Sequence, residues 1–255
     1  MEAETPSGYA EAFRNLNGSV SANSYITFQT LTSYDVAGCA NLCDNTNLCT
    51  AFNIYIERDP SLNPTNTGPS DNSTGQYCPN PAAITNYKCS LWGSSISAAD
   101  ATNLGGWRDE FQVVIAASNG YDKSNHTIPA APSGWGQPSK CPGGAISAGG
   151  SYWLGSKFFP GPFNPNLCGV YGQAQAATNK KLAVEQGQHS YTPCNMFNAY
   201  MVKKNGHPQG TYCSLFNTVL DSSWASTQSV WSGSDRFDFE SSWTFPLAEL
   251  DSGEC

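Results

Sequence analysis

The sequence predicts an α+β protein of two tandem, disulfide-stapled modules, each combining a helix with antiparallel strands. Three observations lead there: ten cysteines in 255 residues, a motif order that occurs twice, and helix and strand signatures that recur in both copies. An even cysteine count without zinc-type C-x-x-C spacing reads as disulfides formed in an oxidising compartment. The repeat begins with Cys49-Thr-Ala-Phe52-Asn53-Ile-Tyr55, echoed by Cys194-Asn-Met-Phe197-Asn198-Ala-Tyr200. It continues with Cys89-Ser90-Leu91-Trp92, echoed by Cys213-Ser214-Leu215-Phe216, and ends on a glycine, charged residues and an aromatic strand, at Gly106 to Phe111 and Gly233 to Phe237.

In the first module Asp35 can cap a short helix, with Val36, Cys39 and Cys43 spaced to share one face. Phe52, Ile54 and Ile56 alternate with Asn53, Tyr55 and Glu57, the pattern of a strand with one buried face. A long segment from about Arg58 to Asn86, rich in Pro, Asn, Ser and Thr, follows that strand and contains Cys78, which suggests a pinned loop. In the second module Asn164 caps a helix with Pro165 at its first position, where the missing N–H costs nothing, and Cys168 lies in its first turns. The second strand runs Phe197-Ala199-Met201 against Asn198-Tyr200-Val202. Asn205-Gly206 then supplies a type I′ hairpin turn, and Thr211 to Phe216 returns. Pro129, Pro132 and Pro138 mark residues 129–140 as a linker, dividing the chain into modules at 1–128 and 141–255. The stretches before Tyr25 and after Pro246 read as irregular.

Composition narrows the function. Only 13% of residues are charged, against about 25% in typical soluble domains. A surface of Ser, Thr, Asn, Gly and Tyr fits an extracellular protein, as do the sequons at Asn17, Asn72 and Asn125. A net charge of −8 with scattered basic residues argues against nucleic acid or an anionic membrane as partner. No apolar run reaches the roughly 18 residues of a membrane span. The N-terminus has no basic-then-apolar leader, and the chain reads as a mature secreted protein.

The helix Cys39-x-x-x-Cys43, followed by Cys49-x-x-Phe52-x-x-Tyr55 and Cys89-x-Leu91, resembles the PAN/apple module. The likeness implies an antiparallel sheet cradling one helix, with Cys39–Cys89 and Cys43–Cys49 tying helix to sheet. The second half resembles it less closely, because Gly172 stands where the helix's second cysteine belongs, leaving Cys194 without its family partner. Cys168 is then free to pair with Cys213 or with Cys194, and Cys78, Cys141 and Cys255 have no assignable partners. The chain also looks like a group of ascomycete secreted cysteine-rich proteins through Phe197 to Tyr200, Lys204 to Cys213 and Gly161 to Cys168. PAN/apple modules bind proteins or carbohydrates, so the resemblance implies a binding protein.

Catalytic motifs are absent: there is no HExxH, GxSxG or phosphate-cradling loop. His126, His189 and His207 are scattered through polar stretches, and with ten cysteines read as five bridges no nucleophilic thiol remains. Glu57/Asp59, Asp109/Glu110 and Asp238/Glu240 are the acid pairs a glycosidase could use, but neighbours on one strand do not flank a sugar. No calcium loop or other cofactor motif is present. The stronger lead is aromatic, with 7 Trp and 12 Tyr. Trp107 and Trp231 begin equivalent strands, and Tyr55 and Tyr200 lie in the outward phase of theirs, so these four are the candidate ligand-binding residues. The reading is a secreted, non-catalytic protein recognising a cell-wall polysaccharide or an extracellular protein. The alternatives are a fungal effector that blocks a host protease through the long first-module loop, and a polysaccharide-active enzyme.

Overall fold

The computed structural model describes residues 4–66, 77–124 and 128–255. The chain forms two compact units, residues 1–125 and 126–255. The first contains β1 (Tyr9–Leu16), β2 (Tyr25–Leu31), α1 (Val36–Asp44), β3 (Ala51–Pro60), β4 (Ala83–Trp92), β5 (Gly105–Arg108) and β6 (Phe111–Lys123). The second contains β7 (Ser139–Lys140), β8 (Ala145–Ile146), β9 (Trp153–Pro160), α2 (Pro165–Glu185), β10 (Met196–Lys204), β11 (His207–Phe216), β12 (Ala225–Thr227), β13 (Ser229–Ser232) and β14 (Asp235–Pro246).

Each unit is built on one six-stranded antiparallel sheet, the second adding a separate β8–β12 pair, and the two large sheets share a plan. The first runs β1-β6-β3-β4-β2 with β5 also on β6; the second runs β13-β14-β10-β11-β9 with β7 also on β14. Strands β2, β3, β4, β5 and β6 therefore correspond to β9, β10, β11, β13 and β14. In both units the helix comes in the chain between an edge strand and the central strand, β2 and β3 in the first and β9 and β10 in the second. Asp35 caps α1 by accepting the Gly38 N–H, and Asn164 caps α2 by accepting the Asn166 N–H. These bonds satisfy donors that a helix start leaves orphaned. Asn205 and Gly206 take the positive φ values, 50° and 87°, that a type I′ turn between β10 and β11 requires.

The helix covers one sheet face. Val36, Cys39, Ala40 and Cys43 pack on Phe52, Ile54, Leu91 and Tyr121 in the first unit; Cys168 packs with Phe197, Ala199, Met201 and Leu215 in the second. Disulfides Cys39–Cys89 and Cys168–Cys213 staple helix to strand in each, and Cys43–Cys49 ties the end of α1 to the entry of β3. A bridge closing such a loop is worth about 2–4 kcal/mol through the entropy it removes from the unfolded chain. Cys78, Cys141, Cys194 and Cys255 are unpaired, which corrects the expectation of five bridges. For Cys194 the reason is local: Gly172 occupies the position of Cys43, and a Cβ placed there would lie 3.2 Å from the Cys194 sulfur.

Two segments, one read as irregular and one as a linker, contribute to the sheets. Residues 9–16 form β1, an edge strand on β6. Residues 129–140 are not a linker but the matching piece of the second unit. Trp135 bridges Leu247, and Ser139 and Lys140 pair with Thr244 and Trp243. By register Trp135 corresponds to Tyr9. Tyr9 packs edge-on against Phe52 at 5.1 Å between ring centroids, and Trp135 against Phe197 at 4.6 Å. The rings beneath repeat the match, with Phe52 stacked on Tyr121 and Phe197 on Phe245.

The opposite sheet face is also covered at one end. Phe13, Val20, Trp92 and Ile96 close over Ala51 in the first unit; Ile146, Phe216, Leu220 and Ala225 close over Met196 in the second. The cover is tied down through Asn53 and Asn198, both buried completely.

Candidate binding surfaces

The four aromatic residues singled out from sequence separate into two pairs. Tyr55 and Tyr200 lie on the face away from the helix, as their strand phase implies, but they are buried there at 8% and 5% exposure. The covering segments, which carry no periodic signal, shield them. Burial pushes both phenols well above the ordinary tyrosine range, with Glu57 adding to the effect at Tyr55. Trp107 and Trp231 are each 68% exposed. Trp107 stands opposite Gln112 in the β5–β6 ribbon, and Trp231 opposite Arg236 in β13–β14. Side chains alternate along a strand, so Trp231 points away from the face that Val230, Phe237 and Phe239 line. Trp107 bears the same relation to Val113 and Ile115. The structure thus sets the tryptophans and tyrosines on opposite faces, and one ligand cannot touch both kinds within a unit.

Beside Trp231, Arg236 Nε donates to Asp238 Oδ1 at 2.8 Å. Each ribbon thus presents a bare indole next to planar polar groups: the Gln112 amide in one, the Arg236–Asp238 pair in the other.

On the face away from α2 the second unit holds a half-open cleft of about 540 Å³. Phe158, Tyr200, Tyr212, Phe237, Phe239 and Val202 dominate its lining, and Gln209, Thr227 and Ser147 are among the polar members. Tyr200 stacks on Tyr212 at 5.3 Å and leans on Phe239 at 4.8 Å. None of the lining residues carries a carboxylate, an imidazole, an amine or a thiol. Sequence reasoning missed this cleft because its walls come from separate strands. The alternation of Phe237 and Phe239 was the signal that pointed to it.

The same place in the first unit is charged. Tyr55 faces Lys88 where Tyr200 faces Tyr212, and Glu57 stands where Val202 does. Lys88 Nζ lies 3.3 Å from Glu57 Oε1 and 3.6 Å from Asp59 Oδ2, while Asn86 donates to Asp59 at 2.7 Å. Burial raises the Glu57 carboxyl above its ordinary value, and Asp59 beside it reinforces the shift against Lys88. Burial also penalises the charge on Asp59, but Asn86, Glu57, Lys88 and Arg108 outweigh it and hold that carboxyl below its ordinary value.

The other acid pairs are held in surface bonds. Asp109 accepts from Asn66, Asp238 from Arg236, and Glu240 lies 3.1 Å from Lys203 Nζ. Asn17 is exposed, whereas Asn72, Asn125 and His126 lie outside the described residues. The neck of the long first-unit loop is closed by reciprocal backbone bonds between Thr65 and Cys78, and residues 67–76 lie outside the described residues. Cys78 therefore pins the loop through its backbone and not through a disulfide. Among the described residues no three His, Cys, Asp or Glu side chains are grouped to hold a metal, and no helix is long and apolar enough to cross a membrane.

No family model, curated protein or solved structure matches this chain.

Proposed function

We propose that this chain is a secreted binding protein of two PAN/apple-like modules, without catalytic activity, that recognises a carbohydrate polymer through Trp107 and Trp231. The observation that carries the reading is the repetition of one feature. Two indoles, each two-thirds bare to solvent, stand at the same register position of the same edge ribbon in two units. One exposed apolar side chain needs no explanation, but the same indole at the same register position in both units supports a shared contact with a ligand. A ligand that itself repeats suits a site that repeats, and a sugar ring offers the flat C–H face that stacks on an indole. The sparse charge of the chain and its disulfides fit an extracellular, uncharged target. The clustered acids of the first unit are neutralised by Lys88 and Arg108, and the second-unit cleft offers no proton donor or acceptor with carboxylate chemistry, which favours binding over hydrolysis.

The test is a pull-down on insoluble chitin, glucan and cellulose with Trp107→Ala, Trp231→Ala and the double variant. Each single change should weaken retention on the recognised polymer about tenfold. The double change should abolish it, because two linked weak contacts bind far more tightly than either alone. Retention of the double variant equal to that of the unaltered protein, or failure of the unaltered protein to bind any of the three, would refute the assignment.

A further inference from the structure

We propose that the aromatic cleft of the second unit is a separate ligand site that takes an uncharged, largely apolar molecule carrying a ring or a short aliphatic chain. This goes beyond polymer recognition by the tryptophans, which lie on the other sheet face, and does not depend on it.

Comparison of the two units carries the inference. Their sheets match strand for strand, so a residue in one has a definite counterpart in the other. In the first unit the space beside Tyr55 is filled: Glu57, Asp59, Lys88 and Asn86 join in a compact network, and Lys88 Nζ also sits 4.9 Å over the Phe28 ring. In the second unit the counterparts of Glu57, Lys88 and Asn86 are Val202, Tyr212 and Gly210. These three differences remove charge or bulk, and Lys204, which stands in the place of Asp59, is bonded to Asp235 at 2.7 Å and does not line the cleft. Gly210 is decisive for the shape. A Cβ there would come within 2.9 Å of Phe158 Cζ and run into the Phe159 carbonyl, so any side chain would displace a wall of the cleft.

The chemistry of the opening follows from its lining. Tyr212 exchanges a hydrogen bond of 2.7 Å with Ser156, and the Tyr200 hydroxyl lies against Ser214. With these polar ends held by protein, the tyrosines offer ring surface to the cleft. Phe158 and Val230 are exposed and Phe237 and Phe239 half-buried, so folding leaves this apolar wall in contact with water above a floor that includes Val202 and Ile146. An apolar occupant gains by covering it. A charged occupant does not, because no cation or anion lines the cleft to compensate its lost hydration. Gln209, Thr227 and Ser147 can satisfy a single hydroxyl or carbonyl but not the many hydroxyls of a sugar. A volume of about 540 Å³ suits a molecule of about 20 non-hydrogen atoms.

N-phenyl-1-naphthylamine, an uncharged aromatic probe whose emission brightens in apolar surroundings, tests this on the full chain. It should bind saturably at one site per chain. Val230→Trp, which narrows the cleft from its exposed edge without touching the core, should weaken binding at least tenfold. Val202→Glu, which installs the first unit's residue, should abolish it. Should Val202→Glu fail to fold by circular dichroism, Val230→Trp decides alone. 1-Decanol should displace the probe at least tenfold more effectively than decanoate, and soluble chitin and cellulose oligosaccharides should not displace it. The proposal is overturned if binding is not saturable, if folded variants bind as the unaltered protein does, if decanoate competes as well as decanol, or if an oligosaccharide displaces the probe.

Discussion

Asn53 and Asn198 make the same three hydrogen bonds in the two sheets. The Oδ1 of Asn53 accepts the Val20 N–H at 2.9 Å, and that of Asn198 accepts the Ile146 N–H at 2.9 Å. Asn53 Nδ2 donates to Ser118 Oγ and the Asn119 carbonyl; Asn198 Nδ2 donates to Ser242 Oγ and the Trp243 carbonyl. One amide thus ties the covering segment to the central strand and spans the bulge in the neighbouring strand. Ala117 and Ser241, at φ 50° and 48°, mark that bulge in the two units.

Replacing either asparagine should therefore be costly. Asn53→Ala or Asn198→Ala strands a buried N–H and two buried acceptors, each a loss of about 1–3 kcal/mol where water cannot enter. The expected destabilisation is at least about 3 kcal/mol per site, read from the urea midpoint, with the two sites alike. Asn→Asp should be no milder, because a carboxylate cannot donate to the Asn119 or Trp243 carbonyl and would be buried as a charge. A change below about 0.5 kcal/mol at either position would show that the covering segment is not anchored there.

Why the helix, the central strands and two of the disulfide pairs were legible in the sequence, while the edges were not, has a physical basis. Phe52 and Ile54, and Phe197, Ala199 and Met201, carry the apolar phase that packs under the helix, and the cysteine spacing of the first unit is legible through a family resemblance; that the other phase is buried too was not legible. Strand β1 and residues 129–140 lie at sheet edges, where one side of the backbone is unpaired and the side chains need not alternate. Pro129, Pro132 and Pro138 are compatible with such an edge, because an edge leaves some N–H groups without a ladder partner. Their sheet partners, Tyr121 to Lys123 and Trp243 to Leu247, are distant in sequence, so no local pattern reports them. The phase of Tyr55 and Tyr200 was also legible. Their burial comes from neighbours distant in sequence: Tyr212 and Phe239 cover Tyr200, and covering segments held in part by Asn53 and Asn198 lie over the same sheet face.

Trp135 shows what replaced the missing cross-link. On α2, Gly169 and Gly172 leave a notch that the indole fills: a Cβ on Gly169 would meet Pro132 Cβ at 2.8 Å and Trp135 Nε1 at 3.0 Å, and one on Gly172 would meet Trp135 Cζ2 at 2.9 Å. The first unit holds the corresponding helix turn by Cys43–Cys49; the second holds it by a wedged aromatic ring. Trp135→Ala should cost about 3–5 kcal/mol, the range for emptying a buried aromatic site. Gly172→Ala should be destabilising as well, because the ring and the Cys194 sulfur are both in the way. Burial pushes the Cys194 thiol up to about 12, so it stays protonated and inert at neutral pH. In the folded protein it should resist a maleimide that labels exposed Cys255, and Trp135→Ala should open it to labelling. Equal labelling of Cys194 in both proteins would mean that the tryptophan does not seal the site.

The carboxylates of the first unit make a prediction about pH, because their shifts have opposite signs. Glu57 holds its proton more tightly folded than unfolded, so its contribution to stability is complete below the ordinary glutamate value and is lost as pH rises through the raised folded value. Asp59 holds its proton less tightly folded, so its contribution is present above the ordinary aspartate value and is lost as pH falls through the lowered folded value. Glutamine resembles the protonated glutamate. The stability of Glu57→Gln relative to the unaltered protein should therefore improve as pH is raised from about 4 to about 7. Asp59→Asn should be the less stable protein at neutral pH, with the deficit shrinking as pH falls below the ordinary aspartate value. Urea midpoints for the three proteins from about pH 2 to about pH 7 give both slopes. Parallel curves would mean that Lys88 does not discriminate between the two acids. Reversed slopes would mean that the proton resides on Asp59, with Lys88 and Arg108 serving Glu57 instead.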